Sequence, residues 1–78
     1  MAQFDRVRDV LARVMEVPPA EVTPASQQAE FARWDSIRHL DLVMEIEAEF
    51  GCTLSMREAT ALRSVPDILR VLGTKAAA

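Results

Sequence analysis

The chain has 78 residues, half of them hydrophobic, and its formal net charge is −3 at pH 7. This length allows one small domain, and the acidic balance argues against a nucleic-acid binder that works by neutralising phosphates. The single cysteine excludes an intrachain disulfide and a cysteine-based zinc cage, and with only one histidine no metal site is expected.

Residues 3–15 are predicted to form an amphipathic helix. At about 100° per residue their apolar side chains fall within one stripe, while the charged side chains face away. The apolar positions are Phe4, Val7, Val10, Leu11, Val14 and Met15. Pro18 and Pro19 are expected to end this helix, because a proline nitrogen cannot donate to the helical hydrogen-bond ladder.

The segment 17–34 has the composition of a loop, rich in proline, threonine, serine and glutamine. A connection of this length inside a compact domain usually has a functional role or contains a hidden helical turn. We expect Val22, Phe31 and Trp34 to anchor this loop on the hydrophobic core.

Residues 36–50 are predicted to form the second helix, ended by Gly51 as a left-handed cap. This helix has two apolar stripes on roughly opposite sides. The first contains Leu42, Val43, Ile46 and Phe50, and the second contains Ile37, Leu40, Met44 and Ala48. The first stripe can supply the core, and the second, flanked by Asp41 and Glu47, is expected to stay partly exposed for a partner. Alternatively, a central position in the bundle would bury both stripes.

Two further helices are predicted from their caps. The segment from Ser55 to Glu58 matches a capping box that opens a short helix ending at about Leu62. Ser64 is expected to cap a last helix that stops at Gly73, followed by a frayed tail over residues 74–78. The predicted fold is all-α: a small bundle of three main helices and one short helix, with a core of about residues 3–72.

The N-terminal residues lack the charged-then-apolar pattern of a secretory signal. No apolar run approaches the roughly 18 residues that a membrane span requires. We therefore expect residues 1–78 to form a single free-standing domain that is cytoplasmic and monomeric and has no membrane span.

Asp35 and Ser36 stand where the long loop becomes helix. Asp35 is expected to be the N-cap, since its carboxylate can accept a backbone N–H and complements the positive end of the helix. The same geometry would suit a phosphorylated serine, because free N–H groups and the helix dipole stabilise a phosphodiester at the first turn.

The order of these signals resembles that of the acyl carrier proteins. The matching features are the motif Trp34-Asp35-Ser36-Ile37, the segment from Leu40 to Gly51, the long loop, and the Ser64-Val65 pair. The resemblance covers residues 3–72. It implies a 4′-phosphopantetheine arm attached to Ser36, with Asp35 as the acid that precedes the attachment site.

The resemblance also implies a face that partner enzymes recognise. This face consists of Ile37, Arg38, Leu40, Asp41, Met44 and Glu47. The implied partners are a phosphopantetheinyl transferase and enzymes that load, condense or transfer acyl groups in fatty acid, polyketide or related specialised biosynthesis. The opposite face, with Leu42, Ile46 and Phe50, would line a core in which such proteins can shelter an acyl chain.

Three positions depart from the commonest pattern of that family. Arg38 stands where many fatty-acid carriers have an acid, Ala48 replaces a frequent glutamate, and Trp34 occupies a position that often holds a small residue. Because partners of this family offer basic patches, Arg38 is expected to weaken docking to generic partners or to favour a dedicated one. We interpret Trp34 as a marker of discrete carriers from specialised pathways.

The sequence allows two other functions. A helical interaction module would use Asp35 and Ser36 only as a helix cap. A small serine-dependent enzyme would pair Ser36 with His39, but these side chains diverge by about 60° around the helix and no orienting acid or oxyanion hole is evident. His39 is therefore expected at the surface or the helix edge.

The remaining chemistry-bearing side chains have structural interpretations. Cys52 is expected to be a half-buried, unreactive thiol. Packing roles are expected for Met15, Met44 and Met56. Arg33 and Arg38 bracket Ser36, and they are either solvated or placed to meet a phosphate or an acid of a partner.

Overall fold

The structure is a computed structural model that describes residues 2–76. Its α-helices are α1 (Ala2–Met15), α2 (Ser36–Phe50), α3 (Met56–Thr60) and α4 (Val65–Ala76). Two short 3₁₀ turns, Pro19–Glu21 and Gln28–Glu30, lie in the long connection between α1 and α2. Within residues 2–76 there are no strands, so the predicted all-α bundle of three main helices and one short helix is confirmed. None of the described helices is long and apolar enough to cross a membrane.

The hydrophobic core lies where α1, α2 and α4 meet. It contains the predicted stripe of α1, one stripe of α2 and one stripe of α4. Its central members are Val7, Val10, Leu11, Met15, Leu42, Ile46, Val65, Ile68 and Leu72. Burying one such side chain stabilises the fold by about 1.5–3 kcal/mol, so this cluster determines which face each helix turns inward.

Helix α1 ends at the predicted residue, but not for the predicted reason. The helix ends at Met15, and Glu16 follows in the left-handed region with φ 58°. The amide of Val17 then donates to the carbonyl of Ala12 at 3.0 Å, the long-range bond of a Schellman motif. Pro18 and Pro19 come after this motif, so a glutamate in the left-handed conformation ends the helix before the prolines can.

The long loop is fixed to the rest of the domain by buried side chains and by backbone hydrogen bonds. Val22, Phe31 and Trp34 are buried, as predicted, and the two 3₁₀ turns are the hidden helical turns that its length suggested. Its backbone is also bonded to the start of α4: the amide of Gln28 donates to the carbonyl of Arg63, and the amide of Val65 to that of Ser26, each at 2.8 Å. The loop is therefore an integral layer of the bundle.

The caps of the later helices agree with the prediction. Gly51 follows α2 with φ 61° and ψ 40°, the left-handed cap. Ser55 and Glu58 form both bonds of the capping box at the start of α3, which ends at Thr60, slightly before the predicted Leu62. The hydroxyl of Ser64 accepts a bond from the amide of Asp67 at 3.1 Å and so caps α4.

The predicted stop at Gly73 is wrong, since α4 continues through this glycine to Ala76. Two contacts hold the last turn: the hydroxyl of Thr74 donates to the carbonyl of Val71 at 2.7 Å, and Lys75 Nζ lies 2.8 Å from Glu58 Oε1 of α3. Residues 74–76 are therefore helical rather than frayed, and residues 77–78 of the predicted tail lie outside the described part of the chain.

The two glycines of the chain should respond in opposite directions to alanine. Gly73→Ala is expected to raise the free energy of unfolding by about 0.5–1 kcal/mol, because glycine is a poor helix former. Gly51→Ala is expected to lower it by about 1–2 kcal/mol, because φ 61° is strained for a residue with a Cβ. The new Cβ would meet no atom within 4 Å at either site, so backbone conformation alone separates them. Urea denaturation followed by circular dichroism measures both changes, and equal signs would contradict this account.

Candidate functional site

The first turn of α2 is built on an aspartate cap. Asp35 has extended backbone, with φ −97° and ψ −174°, and its Oδ1 accepts a hydrogen bond from the amide of Arg38 at 2.9 Å. The predicted N-cap is thereby confirmed. Ser36 is the first residue of the helix, where the remaining free amides and the helix dipole favour negative charge.

The hydroxyl of Ser36 differs from those of the other serines in its hydrogen bonding. The hydroxyl of buried Ser26 accepts a bond from the amide of Thr23 at 2.8 Å, while Ser55 and Ser64 cap α3 and α4. Ser36 is exposed, and its hydroxyl has no hydrogen-bond partner among residues 2–76. A modifying enzyme can therefore reach this oxygen without breaking any contact of the fold.

An exposed apolar stripe runs along α2 from this serine. The exposed fractions of Ile37, Leu40 and Met44 are 72%, 65% and 65%, whereas Leu42 and Ile46 on the other side are completely buried. The alternative in which both stripes are buried is wrong. Large apolar side chains that line up on the surface of so small a domain are typical of a surface that binds a partner.

The acidic side chains near this stripe have different surroundings. Asp41 is exposed and forms no ion pair in the part of the chain that the structure describes. Glu45 lies 2.6 Å from Arg13 of α1. Glu47 is half-buried, and its Oε2 accepts a hydrogen bond from the amide of Leu54 at 2.8 Å. The carboxylate of Glu47 therefore holds the segment after α2, while that of Asp41 is free to meet a partner.

Arg38 is turned toward α1. Its Nη1 donates to the carbonyl of Val14 at 2.7 Å and lies 2.9 Å from Glu16 Oε2. Arg33 reaches the other oxygen of the same carboxylate, Glu16 Oε1, at 3.0 Å. The two arginines that bracket Ser36 therefore share one counter-ion, a pairing that the sequence pattern did not reveal.

His39 links three elements rather than lying free at the surface. The indole N–H of Trp34 donates to His39 Nδ1 at 3.0 Å, and His39 Nε2 donates to the carbonyl of Ala59 in α3 at 2.7 Å. The side chain is half-buried, as expected of a residue at the helix edge, but its two bonds were not evident from the sequence. Because both ring nitrogens are bonded to groups other than Ser36, the hypothetical serine–histidine pair is not formed.

Removing this bridge should destabilise the domain. His39→Ala leaves the buried indole N–H of Trp34 without its acceptor, and we expect the free energy of unfolding to fall by about 1–3 kcal/mol. Trp34→Phe removes the donor of the same bond, so the two substitutions together should cost less than the sum of the single ones. Urea denaturation of both single variants and the double variant gives the coupling energy. Strict additivity would mean that the bond contributes nothing.

A shallow cleft of about 400 Å³ adjoins the Ser36 hydroxyl. It lies between the start of α2, the end of α3 and the long loop. The residues lining it are Gln28, Ser36, His39, Leu40, Thr60 and Arg63. Polar groups of a flexible chain attached at Ser36 could form hydrogen bonds along this cleft, so the surroundings of the serine fit a covalently attached arm.

The sulfur-containing side chains divide between core and surface. Met15 is completely buried, but Met44 and Met56 are 65% and 84% exposed, so the predicted packing role is wrong for these two. For Met44, apolar periodicity does not decide the matter, because α2 carries two apolar stripes and only one of them is packed. Cys52 is a half-buried free thiol, as predicted.

Comparisons with known proteins agree with this geometry. The family model described as phosphopantetheine attachment site matches residues 5–72 of the chain. The acyl carrier protein of Thermosynechococcus vestitus is 34% identical over 75 residues, which cover 96% of this chain and 93% of that protein. The matched region includes the whole of α2, with the exposed serine and the apolar stripe that follows it.

Proposed function

The chain belongs to the acyl carrier protein family, whose members hold a phosphopantetheine arm, and on that premise we propose that Ser36 is the residue to which the arm is attached. The observation that supports this proposal is the state of the hydroxyl groups: that of Ser36 is exposed and unbonded within residues 2–76, while those of the other serines are engaged.

The first turn of α2 is suited to the product of this modification. A phosphopantetheinyl transferase would move phosphopantetheine from coenzyme A to the Ser36 oxygen, which gives up its proton. The resulting phosphodiester would lie at the helix N-terminus, where unpaired amides and the helix dipole stabilise an anion. Asp35 would keep the helix start in place, because its carboxylate is bonded to the amide of Arg38. When bound, the arm supplies a terminal thiol that holds acyl groups as thioesters.

The protein itself acts as a carrier, and we infer that its partners supply the catalysis. His39, the one histidine of the chain, is bonded to Trp34 and Ala59, so it provides no base for the serine. Tethering raises the local concentration of the acyl group at each docked enzyme. Docking should be brief, since one carrier must serve several enzymes in turn.

We assign docking to the exposed stripe and the free acid beside it. The contacting residues are Ile37, Leu40, Asp41 and Met44. Arg38 and Glu47 stand on the same segment, but their charged groups bind backbone groups of the fold, and they are expected to act by holding the surface in place. The partners are enzymes that load, condense or transfer acyl groups in fatty acid, polyketide or related specialised biosynthesis.

Mass spectrometry tests the attachment site directly. The chain is co-expressed with a broad-specificity phosphopantetheinyl transferase, and its intact mass is compared with that of the chain expressed alone. We expect a gain that corresponds to one arm. Trypsin cleaves after Arg33 and Arg38, and in the peptide 34–38 the serine is the single hydroxyl residue, so the gain must appear on this peptide. A gain on another peptide would refute Ser36, and no gain would favour an interaction module.

A further inference from the structure

Glu16 joins the end of α1 to both sides of the modification site. Its side chain is 58% exposed, and its two oxygens contact two different arginines, Arg33 and Arg38, at 3.0 and 2.9 Å. Arg33 precedes Ser36 by three residues and Arg38 follows it by two. A single carboxylate from another helix therefore faces both positive charges that flank the serine.

The geometry of Glu16 has a conformational cost that its ion pairs do not explain. Its φ of 58° lies in the left-handed region, where glycine is the favoured residue. Ion pairs between exposed side chains contribute little to stability. Stability alone would thus favour a glycine at this helix end, and the presence of a carboxylate points to a role for its charge.

The charged and apolar groups around Ser36 indicate the role of the Glu16 carboxylate. Asp35 and Asp41 are exposed beside the apolar stripe, so the surface suits a partner whose binding site has an apolar centre and a cationic rim. Unneutralised guanidinium groups of Arg33 and Arg38 would repel such a partner. The hydrogen bond and the charge of Arg38, with the charge of Arg33, hold the pKa of Glu16 below its ordinary value, so the carboxylate stays ionised.

We propose that Glu16 is a specificity residue for docking at Ser36, which it controls from the end of α1 by offsetting one of the two positive charges of Arg33 and Arg38. This inference rests on the proposed function. The partner chemistry it selects is a cationic enzyme surface, and the phosphopantetheinyl transferase is the first such enzyme to test. The ion pairs of Glu16 are with Arg33 and Arg38 and not with Ser36, so its effect should fall on binding rather than on the transfer step.

The test is the kinetics of arm transfer from a fluorescent coenzyme A to the full chain by a phosphopantetheinyl transferase. Glu16→Gln removes the charge and keeps the shape of the side chain. At low ionic strength we expect KM for the carrier to rise about two- to five-fold with kcat unchanged, and the difference to fade at high salt. Arg33→Gln should change KM in the opposite direction, because Glu16 then faces Arg38 alone and the positive charge left beside Ser36 disappears.

Glu21→Gln is the matched control. Glu21 is exposed in the long loop and forms no ion pair in the described part of the chain, so the variant loses the same unit charge without releasing an arginine. Its KM is expected to stay close to that of the unaltered chain. Circular dichroism spectra and melting curves should show that all variants are folded.

Several results would overturn the inference. These are an unchanged KM in Glu16→Gln at low salt, a rise that persists at high salt, a rise no larger than that of Glu21→Gln, or a raised KM in Arg33→Gln. Failure of the proposed function has a different signature, since the unaltered chain would then accept no arm at all. An unaltered chain that is modified normally, together with an unaffected Glu16→Gln variant, contradicts only the role of Glu16.

Discussion

Replacing Ser36 with alanine is expected to abolish attachment of the arm and to leave the fold intact. The attachment is all-or-none because the bond to phosphorus is formed by the oxygen that the substitution removes. The free energy of unfolding should stay within about 0.5 kcal/mol of the unaltered value, since Ser36 is exposed and its hydroxyl bonds to nothing in residues 2–76. The helix keeps its cap, because Asp35 supplies it.

Ser55→Ala provides the matched control for this prediction. Its hydroxyl accepts a bond from the amide of Glu58 at 3.1 Å at the start of α3, so its loss should cost about 0.5–2 kcal/mol of stability. Attachment of the arm should persist in this variant. Intact mass after co-expression with the transferase and urea denaturation give the two readouts. An arm found on Ser36→Ala, or lost from folded Ser55→Ala, would exclude Ser36 as the site.

Alanine substitutions of two leucines of α2 should distinguish a residue needed for stability from a residue needed for docking. Leu42 is completely buried in the core, and Leu42→Ala is expected to lower the free energy of unfolding by about 2–5 kcal/mol, because the cavity it leaves cannot fully close. This is a large part of the total stability of a small domain, which is of the order of 5–15 kcal/mol. Urea denaturation should show a strongly shifted midpoint.

Leu40→Ala should leave the stability almost unchanged and weaken docking. Leu40 is 65% exposed, so its loss should change stability by less than about 0.5 kcal/mol. If the exposed stripe is the docking surface, KM for the carrier in arm transfer should rise about five- to ten-fold, since one apolar contact with the partner is lost. An unchanged KM would refute the docking assignment, and a loss of stability as large as that of Leu42→Ala would refute the assignment of the two faces.

The elements that sequence reasoning predicted correctly depend on neighbours along the chain. Asp35 caps α2 through the amide three residues later, Ser55 and Glu58 cap α3 over the same spacing, and Gly51 ends α2 through its own backbone freedom. Periodicity within α2 likewise placed Leu42 and Leu40 on different apolar stripes, although the structure was needed to show that only Leu42 is buried. Each signal is short-range, so the order of residues suffices to identify it.

Two features that the sequence did not reveal have a different origin, because each depends on a residue distant in the sequence. Gly73 was expected to stop α4, but the last turn is held by Lys75 against Glu58 of α3. His39 was expected at the surface or the helix edge, and its bond to the carbonyl of Ala59 in α3 was not evident from the sequence. Propensity measures only local preference, and tertiary contacts of this kind can outweigh it.

The amino-acid order alone determined where the helices lie, the caps of α2 and α3, the two apolar stripes of α2 and the position of the serine at its first turn, because all of these follow from local hydrogen bonds and helical periodicity. Only the tertiary structure decided how the charges around that serine are arranged. Glu16 meets Arg33 and Arg38 because the end of α1 packs beside the start of α2, and an ion pair between segments far apart in sequence leaves no periodic trace in either one.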